Sequence, residues 1–560
     1  MTSDTTPSGW RGSARTRAVC TVVACVGASF LVWLPSLFAG FTGDDLEGIL
    51  RATAGQRRFA GLDYAAVQWR PLSNASLQLD HAIWGLDASG YHLTNGVLNG
   101  LAAALVVALT VRLWKVAVVD RGRGSTVPPW APGAIAGSLF LLLPSHSEAV
   151  AWIGGRGDLL VAVTALSSLL AWWAASDAAS RSHRVQWTAL AAATLTLALL
   201  AKETAATWPL VVSAFEVTRR WSSRNGRRIG DVIGDAARPW PLYVVAAGWF
   251  GVRWITIGQP FGSYGTDALL SGGVVGVLRH AVSVLVRSTL PAASTRGWIV
   301  VAAVVALLLF AAGSAARRPS GSSLLRAWPV AFLPSAMVVC SVPVLGLGTS
   351  LTEPIGERLG YLPSTFACVL VAWGLCAVLA ARPAVGWAMS AGLAATLLVA
   401  CVTAQGRWVA AGNLADRLFD SAAQLPRDQP VVVLNAPDYR DGTYVALNAL
   451  PAALALQHGW TDLTAVWAAS TYTQGANGSV SVVPDAGQRT WTVRLRGRDA
   501  RFVAWFPRER SANRSSIEVR QQNARQVRVT VGPPPNGAVE QVWMVDDGRL
   551  IQAPLYVARR

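Results

Sequence analysis

Long apolar runs, separated by short polar segments, occupy roughly the first 400 residues of the chain. Runs of about 18 or more apolar residues are typical of transmembrane helices, because a helix needs that length to cross the hydrocarbon core. We therefore predict a polytopic α-helical membrane protein with about eleven transmembrane helices. The predicted spans are about 18–40, 93–113, 132–150, 158–177, 185–201, 204–217, 240–257, 298–315, 327–346, 361–381 and 384–402.

The basic residues between the runs predict the orientation of these helices. Arginine and lysine collect in cytoplasmic loops, and here they crowd residues 1–17 and the loop 219–238. We therefore expect a cytoplasmic N-terminus and an extracytoplasmic C-terminus. Residues 274–291 are apolar but carry Arg279 and Arg287, and a crossing there would break the alternation. We interpret this segment as an in-plane or re-entrant helix on the outer face.

Two segments outside the spans have patterns of their own. The long first outer loop, residues 42–92, has the pattern of two amphipathic helices, with Pro71 at a first-turn position. Residues 404–560 alternate apolar and polar positions between Gly- and Pro-rich turns, which indicates strands. We predict a transmembrane domain over 1–403 and an extracytoplasmic α+β, mostly β domain over 404–560. Its expected elements are helices over 407–425 and 443–457 and strands at 431–434, 491–495 and 526–531.

The composition agrees with a membrane protein and narrows the classes of function. The 560 residues are 52% hydrophobic, with a mean hydropathy of +0.38 and a net charge of +17. In a soluble protein that charge would suggest nucleic-acid binding, but here it follows from arginines in the loops between spans. The six cysteines all lie in apolar runs without a CxxC pattern, so we interpret them as small core residues.

An acidic pair, Asp44 and Asp45, follows the first apolar run directly. Carboxylates are costly near hydrocarbon, so an acidic pair at this position is a hypothesis of function by itself. Alternatively the pair only caps the next helix, since Asp is a favoured N-cap. The topology, set from arginine and lysine in the loops, places further polar residues on the same outer face. They are Arg70, His92, His146, Glu148, Arg156, Asp158, Lys202, Glu203, Glu357 and Arg358.

Each of these clusters also has a simpler explanation. His146 and Glu148 could cap helices in a tight loop, and Arg156 could pair only with Asp158. A shared outer face for all the clusters instead favours one cavity that holds carboxylates and cations together. Arginine and lysine bind phosphate, and a carboxylate can take a proton from a hydroxyl. Such a cavity suits a reaction between a phosphorylated lipid and a polar acceptor.

The order and spacing of several short stretches resemble a known family. They are Gly43-Asp44-Asp45, Trp69-Arg70-Pro71-Leu72, Gly90-Tyr91-His92-Leu93-Thr94-Asn95, Pro144-Ser145-His146-Ser147-Glu148 with Gly155-Arg156-Gly157-Asp158, Ala201-Lys202-Glu203 and Glu357-Arg358-Leu359-Gly360-Tyr361. The chain resembles the glycosyltransferase C superfamily, and within it the lipid-phosphate-sugar-dependent O-mannosyltransferases of the transmembrane-and-TPR type. The resemblance covers roughly residues 20–405, and the β-rich tail departs from the TPR helices of the animal proteins.

The resemblance implies a role for each of these residues. Asp44 would be the general base, and Asp45 would support it or orient the acceptor. The ligands of the lipid phosphate would be Lys202 and Arg358, with Arg156 and Arg70 as weaker candidates. The supporting residues would be Glu203 and Glu357, which orient those cations, His146 and Glu148, which shape the cavity wall, and His92.

The implied activity is an inverting transfer of a hexose, mannose or another, from a polyprenyl-phosphate donor to an extracytoplasmic acceptor hydroxyl. The acceptor would be a protein or an envelope glycan or lipid, and the enzyme would be a multi-pass protein of the plasma membrane. We expect no nucleic-acid partner and no required cofactor. The adjacent Asp44 and Asp45 leave a divalent metal open, but no His/Cys set in the sequence supports one.

Two other classes of function stay open from the sequence. A transporter or flippase of a polar or lipid-linked solute also carries charges in its membrane segments. It predicts inverted repeats and interrupted helices near the bilayer midplane, whereas here the charges fall at one face. A non-catalytic scaffold whose tail binds partners would leave the acidic pair unexplained.

Overall fold

The computed structural model is helical over most of its length and strand-rich near the C-terminus. It describes residues 14–54, 58–59, 62–63, 69–119, 126–221, 228–258, 273–290, 328–345, 347, 351, 353–427, 429, 431–446, 449–460, 466–475, 477–485, 489–497, 499–505, 517–533 and 541–554.

Most helices begin close to where the apolar runs begin, because a segment in lipid must satisfy its backbone hydrogen bonds internally. The described helices are α1 Ala14–Trp33, α2 Asp45–Ala54, α3 Pro71–Trp84, α4 Ala88–Trp114, α5 Ala131–Leu142, α6 Ser147–Val150, α7 Arg156–Asp177, α8 Arg181–Ala201, α9 Trp208–Trp221, α10 Ile229–Ala237, α11 Trp240–Ile257, α12 Gly273–Arg287, α13 Pro329–Ser341, α14 Tyr361–Ala381, α15 Pro383–Ser421 and α16 Ala449–His458.

Among the described residues, six helical segments are long and apolar enough to cross a membrane. They are Thr16–Phe38, Ala88–Val118, Ile153–Asp177, Arg181–Ala201, Glu357–Ala381 and Pro383–Gln424. Two shorter apolar helices cover Ala131–Leu142 and Pro329–Val344. The chain is therefore a multi-pass membrane protein. The count of about eleven helices and their orientation stay predictions, and the expected span 298–315 lies outside the described residues.

The third apolar run differs from the single helix expected over 132–150. Helix α5 ends at Leu142, a 3-10 turn covers Pro144–His146, and α6 follows at Ser147. Leu143 is extended (ψ 115°) because a residue that precedes proline is disfavoured in helical geometry. The polar residues of this motif consequently lie in a compact turn.

Helix α12 has two contrasting faces. Val275 and Leu278 are exposed, whereas Val284 and Arg287 on the other face are buried. Such a two-faced pattern fits the in-plane helix that the sequence predicts for this segment. Its inner face delivers the Arg287 guanidinium to the residues that follow Gly356.

A single helix of 39 residues, α15, connects the last predicted span to the C-terminal tail. The predicted domain boundary at 403/404 falls inside this helix, and the helix expected from 407 is its second half. Gln405 is buried there and donates to the carbonyl of Val32 at 2.8 Å. The tail is thus attached through a continuous rigid element.

The tail contains most of the described strands. A two-stranded ribbon in the first outer loop has β1 Arg58–Phe59 and β2 Leu62–Asp63. The tail strands are β3 Val431–Val433, β4 Ala436–Arg440, β5 Thr443–Tyr444, β6 Val466–Ala468, β7 Ser470–Gln474, β8 Ser479–Pro484, β9 Thr490–Arg496, β10 Arg501–Trp505, β11 Ile517–Asn523, β12 Gln526–Val531, β13 Gln541–Asp546 and β14 Arg549–Gln552.

These tail strands form three four-stranded sheets with orders β10-β7-β4-β5, β11-β12-β9-β8 and β14-β13-β3-β6. The strands predicted from Val431, Trp491 and Gln526 are present. The helix predicted from residue 443 begins instead at Ala449, because Thr443 and Tyr444 pair as a strand with Arg440 and Tyr439.

One hydrophobic core joins the first outer loop to the tail. Leu46 and Ile49 of α2 pack in a buried cluster with residues of the second half of α15 and of the tail. The tail and α15 members include Ala411, Leu414, Ala415, Leu418, Phe419, Val431, Val433, Val445, Leu450, Ala453 and Trp543. Burial of this apolar surface holds the start of α2, and so the acidic pair, against the tail.

We expect Ile49→Ala to destabilise the purified protein by about 2–5 kcal/mol, because it leaves a cavity in this shared core. Thermal unfolding in detergent measures the loss, and limited trypsin digestion of the arginine-rich tail reports whether the tail loosens with it. Leu79→Ala serves as the matched control, since Leu79 is 61% exposed. Equal melting temperatures for the two variants would contradict a shared core.

Candidate active site

The two adjacent aspartates have different surroundings. Gly43 has a positive φ of 61°, which turns the chain into α2 and which glycine adopts at low cost. Asp45 is buried, and its carboxylate oxygens accept from the backbone N–H of Thr42 at 2.9 Å and of Gly154 at 2.8 Å. Asp45 therefore fastens the first outer loop to the turn before α7, which favours a positioning role.

Asp44 is half-buried, and within the described residues its carboxylate has no hydrogen bond or ion pair. Asp44 Oδ1 lies 3.1 Å from the position that a Cβ atom on Gly154 would occupy. The Asp44 carboxylate therefore lies against the turn that precedes α7. A partly shielded carboxylate without a fixed partner can accept a proton from a hydroxyl brought beside it.

Lys202 is buried at the end of α8. Its ammonium donates to both carboxylate oxygens of Asp158 at 2.7 Å. Burial lowers the pKa of Lys202, Asp158 counteracts this, and the positive charges of Arg70 and Arg358 lower the pKa further. Three cationic side chains from separate parts of the chain therefore lie close enough to interact.

Arg70 and Glu203 form a second pair across this region. Arg70 donates from Nε to Oε2 of Glu203 at 3.0 Å and from Nη2 to Oε1 at 2.5 Å. Burial by itself would raise the pKa of Glu203, but Arg70 and Lys202 lower it to about 2. Glu203 is thus an anion that orients Arg70.

Arg358 is held by three different groups. Its backbone N–H donates to Glu148 Oε2 at 3.0 Å, and its Nη1 donates to Oε1 of the same carboxylate. Nη1 also donates to the hydroxyl of Tyr444 at 3.0 Å, and the guanidinium carbon lies 4.8 Å from the centre of the Trp152 ring. Glu148 is therefore the main anionic partner of Arg358, a stronger role than shaping a wall.

The remaining supporting residues are buried and bonded. Glu357 pairs with Arg287 and accepts from the Ser147 hydroxyl at 3.0 Å. His146 shares a hydrogen bond of 2.7 Å with the Ser364 hydroxyl. The Nε2 atom of His92 lies 3.0 Å from the carbonyl oxygen of Ala39. These contacts fix the turns from which the charged groups project.

Arg156 is 1% exposed, and its bonds point to neighbouring backbone and side chains. Its guanidinium pairs with Asp80 at 2.5 Å, donates from Nε to Asn95 Oδ1 at 3.0 Å, and donates from Nη2 to the Tyr91 carbonyl at 3.0 Å. A guanidinium engaged on all sides has no direction left for a phosphate. The geometry therefore favours a structural role for Arg156.

Charged residues that are adjacent in the sequence do not form ion pairs with each other in these motifs. Glu203 binds Arg70 instead of the adjacent Lys202, and Glu357 binds Arg287 instead of the adjacent Arg358. The simple pairing of Arg156 with Asp158 is also wrong, since Asp158 binds Lys202. Lys202 has an extended backbone (φ −162°, ψ 145°) just before the 3-10 turn that begins at Glu203. Glu357 and Arg358 lie together in a 3-10 turn, where successive side chains point about 120° apart because three residues make one turn. Each ion pair consequently joins two distant parts of the chain.

Arg253 is a charged residue that the sequence reasoning missed. It lies near the end of α11 with 2% exposure, and its Nη1 has no hydrogen-bond partner among the described residues. The charges of Glu203 and Arg70 both act on it, and its guanidinium carbon lies 5.5 Å from the centre of the Trp249 ring. The sequence did contain a signal for Arg253, since this arginine lies inside the predicted span 240–257. A charge there is costly in hydrocarbon and therefore indicates a function.

The loop that carries Asp44 contacts two residues that surround Arg358. A Cβ at Gly43 would lie 3.1 Å from both Trp152 Nε1 and Tyr444 Cβ, and both of these residues contact Arg358. Among the described residues, no group of three or more His, Cys, Asp and Glu side chains is arranged to hold a metal ion.

Sequence comparison finds relatives of one kind over part of the chain. This chain is 35% identical over 222 residues to the protein O-mannosyl-transferase Tmtc2 of Drosophila melanogaster. The match covers 36% of this chain and 22% of that protein. The homologues of this chain are TMTC O-mannosyltransferases. Tmtc1 of the same organism is 31% identical over 229 residues, which are 38% of this chain and 24% of that protein.

The family resemblance expected from the sequence is confirmed by these relatives. The chain spans less than a quarter of the length of the curated relatives it matches. No protein-family model matches the chain.

Two solved structures are similar at low sequence identity. ArnT from Cupriavidus metallidurans bound to undecaprenyl phosphate is 14% identical with a TM-score of 0.46, covering 92% of this chain and 98% of that one. The archaeal oligosaccharyltransferase AglB from Archaeoglobus fulgidus, in complex with an inhibitory peptide and a dolichol-phosphate, is 12% identical with a TM-score of 0.39. That similarity covers 75% of this chain and 62% of AglB.

The lowered pKa of Glu203 makes part of the stability depend on pH. A carboxylate whose folded-state pKa is depressed stabilises the fold above its unfolded pKa, and that stability is lost as the pH falls through the folded value. Here the window runs from the ordinary value of 4.5 down to about 2, which corresponds to at most about 3 kcal/mol.

We therefore expect Glu203→Gln to show a smaller loss of stability than the unsubstituted protein over this acidic window. Melting temperatures in detergent as a function of pH measure the difference. Glu518→Gln is the matched control, because Glu518 lies on the exposed edge of the tail with a side chain 56% exposed. A Glu203→Gln profile parallel to that of the unsubstituted protein would refute the linkage.

Proposed function

We propose that this chain is a membrane glycosyltransferase that transfers a hexose from a polyprenyl-phosphate donor to a hydroxyl of an extracytoplasmic acceptor. The observation that supports the proposal is the half-buried Asp44 carboxylate, which has no partner among the described residues. Its loop contacts Trp152 and Tyr444, and both of these residues also contact Arg358. The relatives, which are named protein O-mannosyl-transferases, support mannose as the sugar. An acceptor hydroxyl on a protein or an envelope glycan or lipid fits the outer face predicted by the topology.

The reaction is a single displacement. The acceptor oxygen attacks the anomeric carbon and forms the new C–O bond while the bond from that carbon to the phosphate oxygen breaks. Asp44 takes the proton of the acceptor hydroxyl as general base. The electron pair of the broken bond leaves with the lipid phosphate, and one displacement inverts the anomeric centre.

The cations stabilise the leaving phosphate. Lys202 acts as a point charge, whereas arginine can bind two phosphate oxygens at once. Because Asp158 and Glu148 already fix Lys202 and Arg358, these groups need little rearrangement when charge develops on the phosphate. The same ion pairs partly neutralise the charges of Lys202 and Arg358. The lipid phosphate is therefore bound weakly enough to leave after transfer.

Transport is the less favoured alternative. In the described residues, the charged groups of the site sit in turns and at helix ends rather than in broken helices, which transporter folds place at the bilayer midplane.

Replacing the base should abolish turnover without unfolding the protein. We expect Asp44→Asn to lower turnover by about 10²–10⁴-fold, because it removes the proton acceptor. Release of polyprenyl phosphate from polyprenyl-phosphate mannose is measured in reconstituted membranes supplied with an extracytoplasmic envelope fraction. The melting temperature should stay unchanged, since Asp44 holds no described residue through its side chain.

Asp45→Asn provides the contrast for that experiment. It weakens two backbone hydrogen bonds, so its main effect should be a lower melting temperature. Near-normal turnover of folded Asp44→Asn protein would remove Asp44 from the role of base.

Arg253 is a further candidate ligand of the donor phosphate. A hydrogen bond to a charged group contributes about 1.5–3 kcal/mol, so Arg253→Gln should raise the KM for the donor by about 10–100-fold. The control Arg184→Gln alters an exposed arginine near the start of α8 and should leave the KM unchanged. An unaltered donor KM in Arg253→Gln would exclude this arginine from the phosphate site.

A further inference from the structure

Tyr444 of the tail lies at the centre of the proposed site. It belongs to β5, which pairs with β4 in a short hairpin (residues 436–446). The next residue, Val445, accepts a hydrogen bond of 3.0 Å from the backbone N–H of Gly43. The hairpin therefore touches the loop that carries Asp44.

The Tyr444 hydroxyl bridges two charged groups. It donates to Glu148 Oε1 at 3.1 Å and accepts from Arg358 Nη1 at 3.0 Å. The ring centre lies 4.9 Å from that of Trp152 and 6.1 Å from that of Trp408. Burial raises the pKa of Tyr444, so the group stays a neutral hydroxyl under ordinary conditions.

A neutral partner fixes the direction of Arg358 without cancelling its charge. Glu148 neutralises this guanidinium in part, whereas a hydroxyl restricts its movement and leaves the cation able to attract an anion. The tail can supply such a fixed contact, because it shares a hydrophobic core with α2 and Arg501 pairs with Glu353 at 3.1 Å.

We propose that the C-terminal domain is a working part of the active site, and that Tyr444 is the positioning residue that aims Arg358 at the donor phosphate. This inference rests on the proposed function. It gives the tail a direct task in the reaction, since the tail completes the phosphate site built by the membrane helices.

Tyr444→Phe and Tyr439→Phe form a matched pair that tests the inference. Tyr439 lies opposite Tyr444 in the same hairpin, with ring centres 5.2 Å apart, and its hydroxyl has no hydrogen bond to a described residue. We expect Tyr444→Phe to raise the KM for polyprenyl-phosphate mannose about tenfold with a smaller change in kcat. Tyr439→Phe should change neither value.

A double variant separates positioning from general damage. If Tyr444 acts through Arg358, adding Tyr444→Phe to Arg358→Gln should raise the donor KM no further, because coupled residues are non-additive. Additive effects of the two substitutions, or equal KM values for Tyr444→Phe and Tyr439→Phe, would overturn the inference.

A measurement without turnover keeps the inference distinct from the proposed function. Phenylglyoxal modification of Arg358, quantified by peptide mass spectrometry, should proceed several-fold faster in Tyr444→Phe than in Tyr439→Phe. Equal rates would overturn the positioning role even in an active enzyme. If the unsubstituted protein transfers no sugar while the rates differ, the positioning role stands and the proposed function fails.

Discussion

The high cost of burying a charge without a partner organises the centre of this protein. An isolated ion loses several kcal/mol or more on leaving water, so a buried cation needs an anion and further hydrogen bonds. Five arginine or lysine residues meet that requirement through carboxylates far away in the sequence. The pairs are Arg70–Glu203, Arg156–Asp80, Lys202–Asp158, Arg287–Glu357 and Arg358–Glu148. Each pair therefore joins two segments that are distant in the sequence.

Asp44 and Arg253 are not members of such a pair, and they carry opposite charges. Within the described residues Asp44 has no cation, and the Nη1 of Arg253 has no acceptor. In a reaction that moves a proton from an acceptor and releases a phosphate, these are the two kinds of group that have to stay available. The paired residues, Lys202 and Arg358 among them, hold fixed positions around the candidate site.

These fixed contacts extend into the tail instead of ending at the membrane. Helix α15 continues without a break from the predicted span to the strand-rich tail, and α2 packs on its second half and on the tail. Tyr444 then places a tail hydroxyl between Glu148 and Arg358. Two regions that differ in composition, one apolar and helical, the other alternating and β-rich, therefore depend on each other for the shape of one site.

The sequence by itself determined the elements and the chemical residues. Hydrophobic periodicity and proline positions are local properties, so they predicted the membrane helices, α3 from Pro71 and the strands from Val431, Trp491 and Gln526. Charges at the ends of apolar runs likewise marked Asp44, Lys202 and Arg358 as candidates. Only the tertiary structure decided which charges meet, because ion pairs join residues up to 210 positions apart and adjacent side chains point in different directions. It also decided that Glu148 rather than Glu357 holds Arg358, that Arg156 is enclosed, and that a tail tyrosine reaches the site, since long-range packing sets these contacts and no local pattern encodes them.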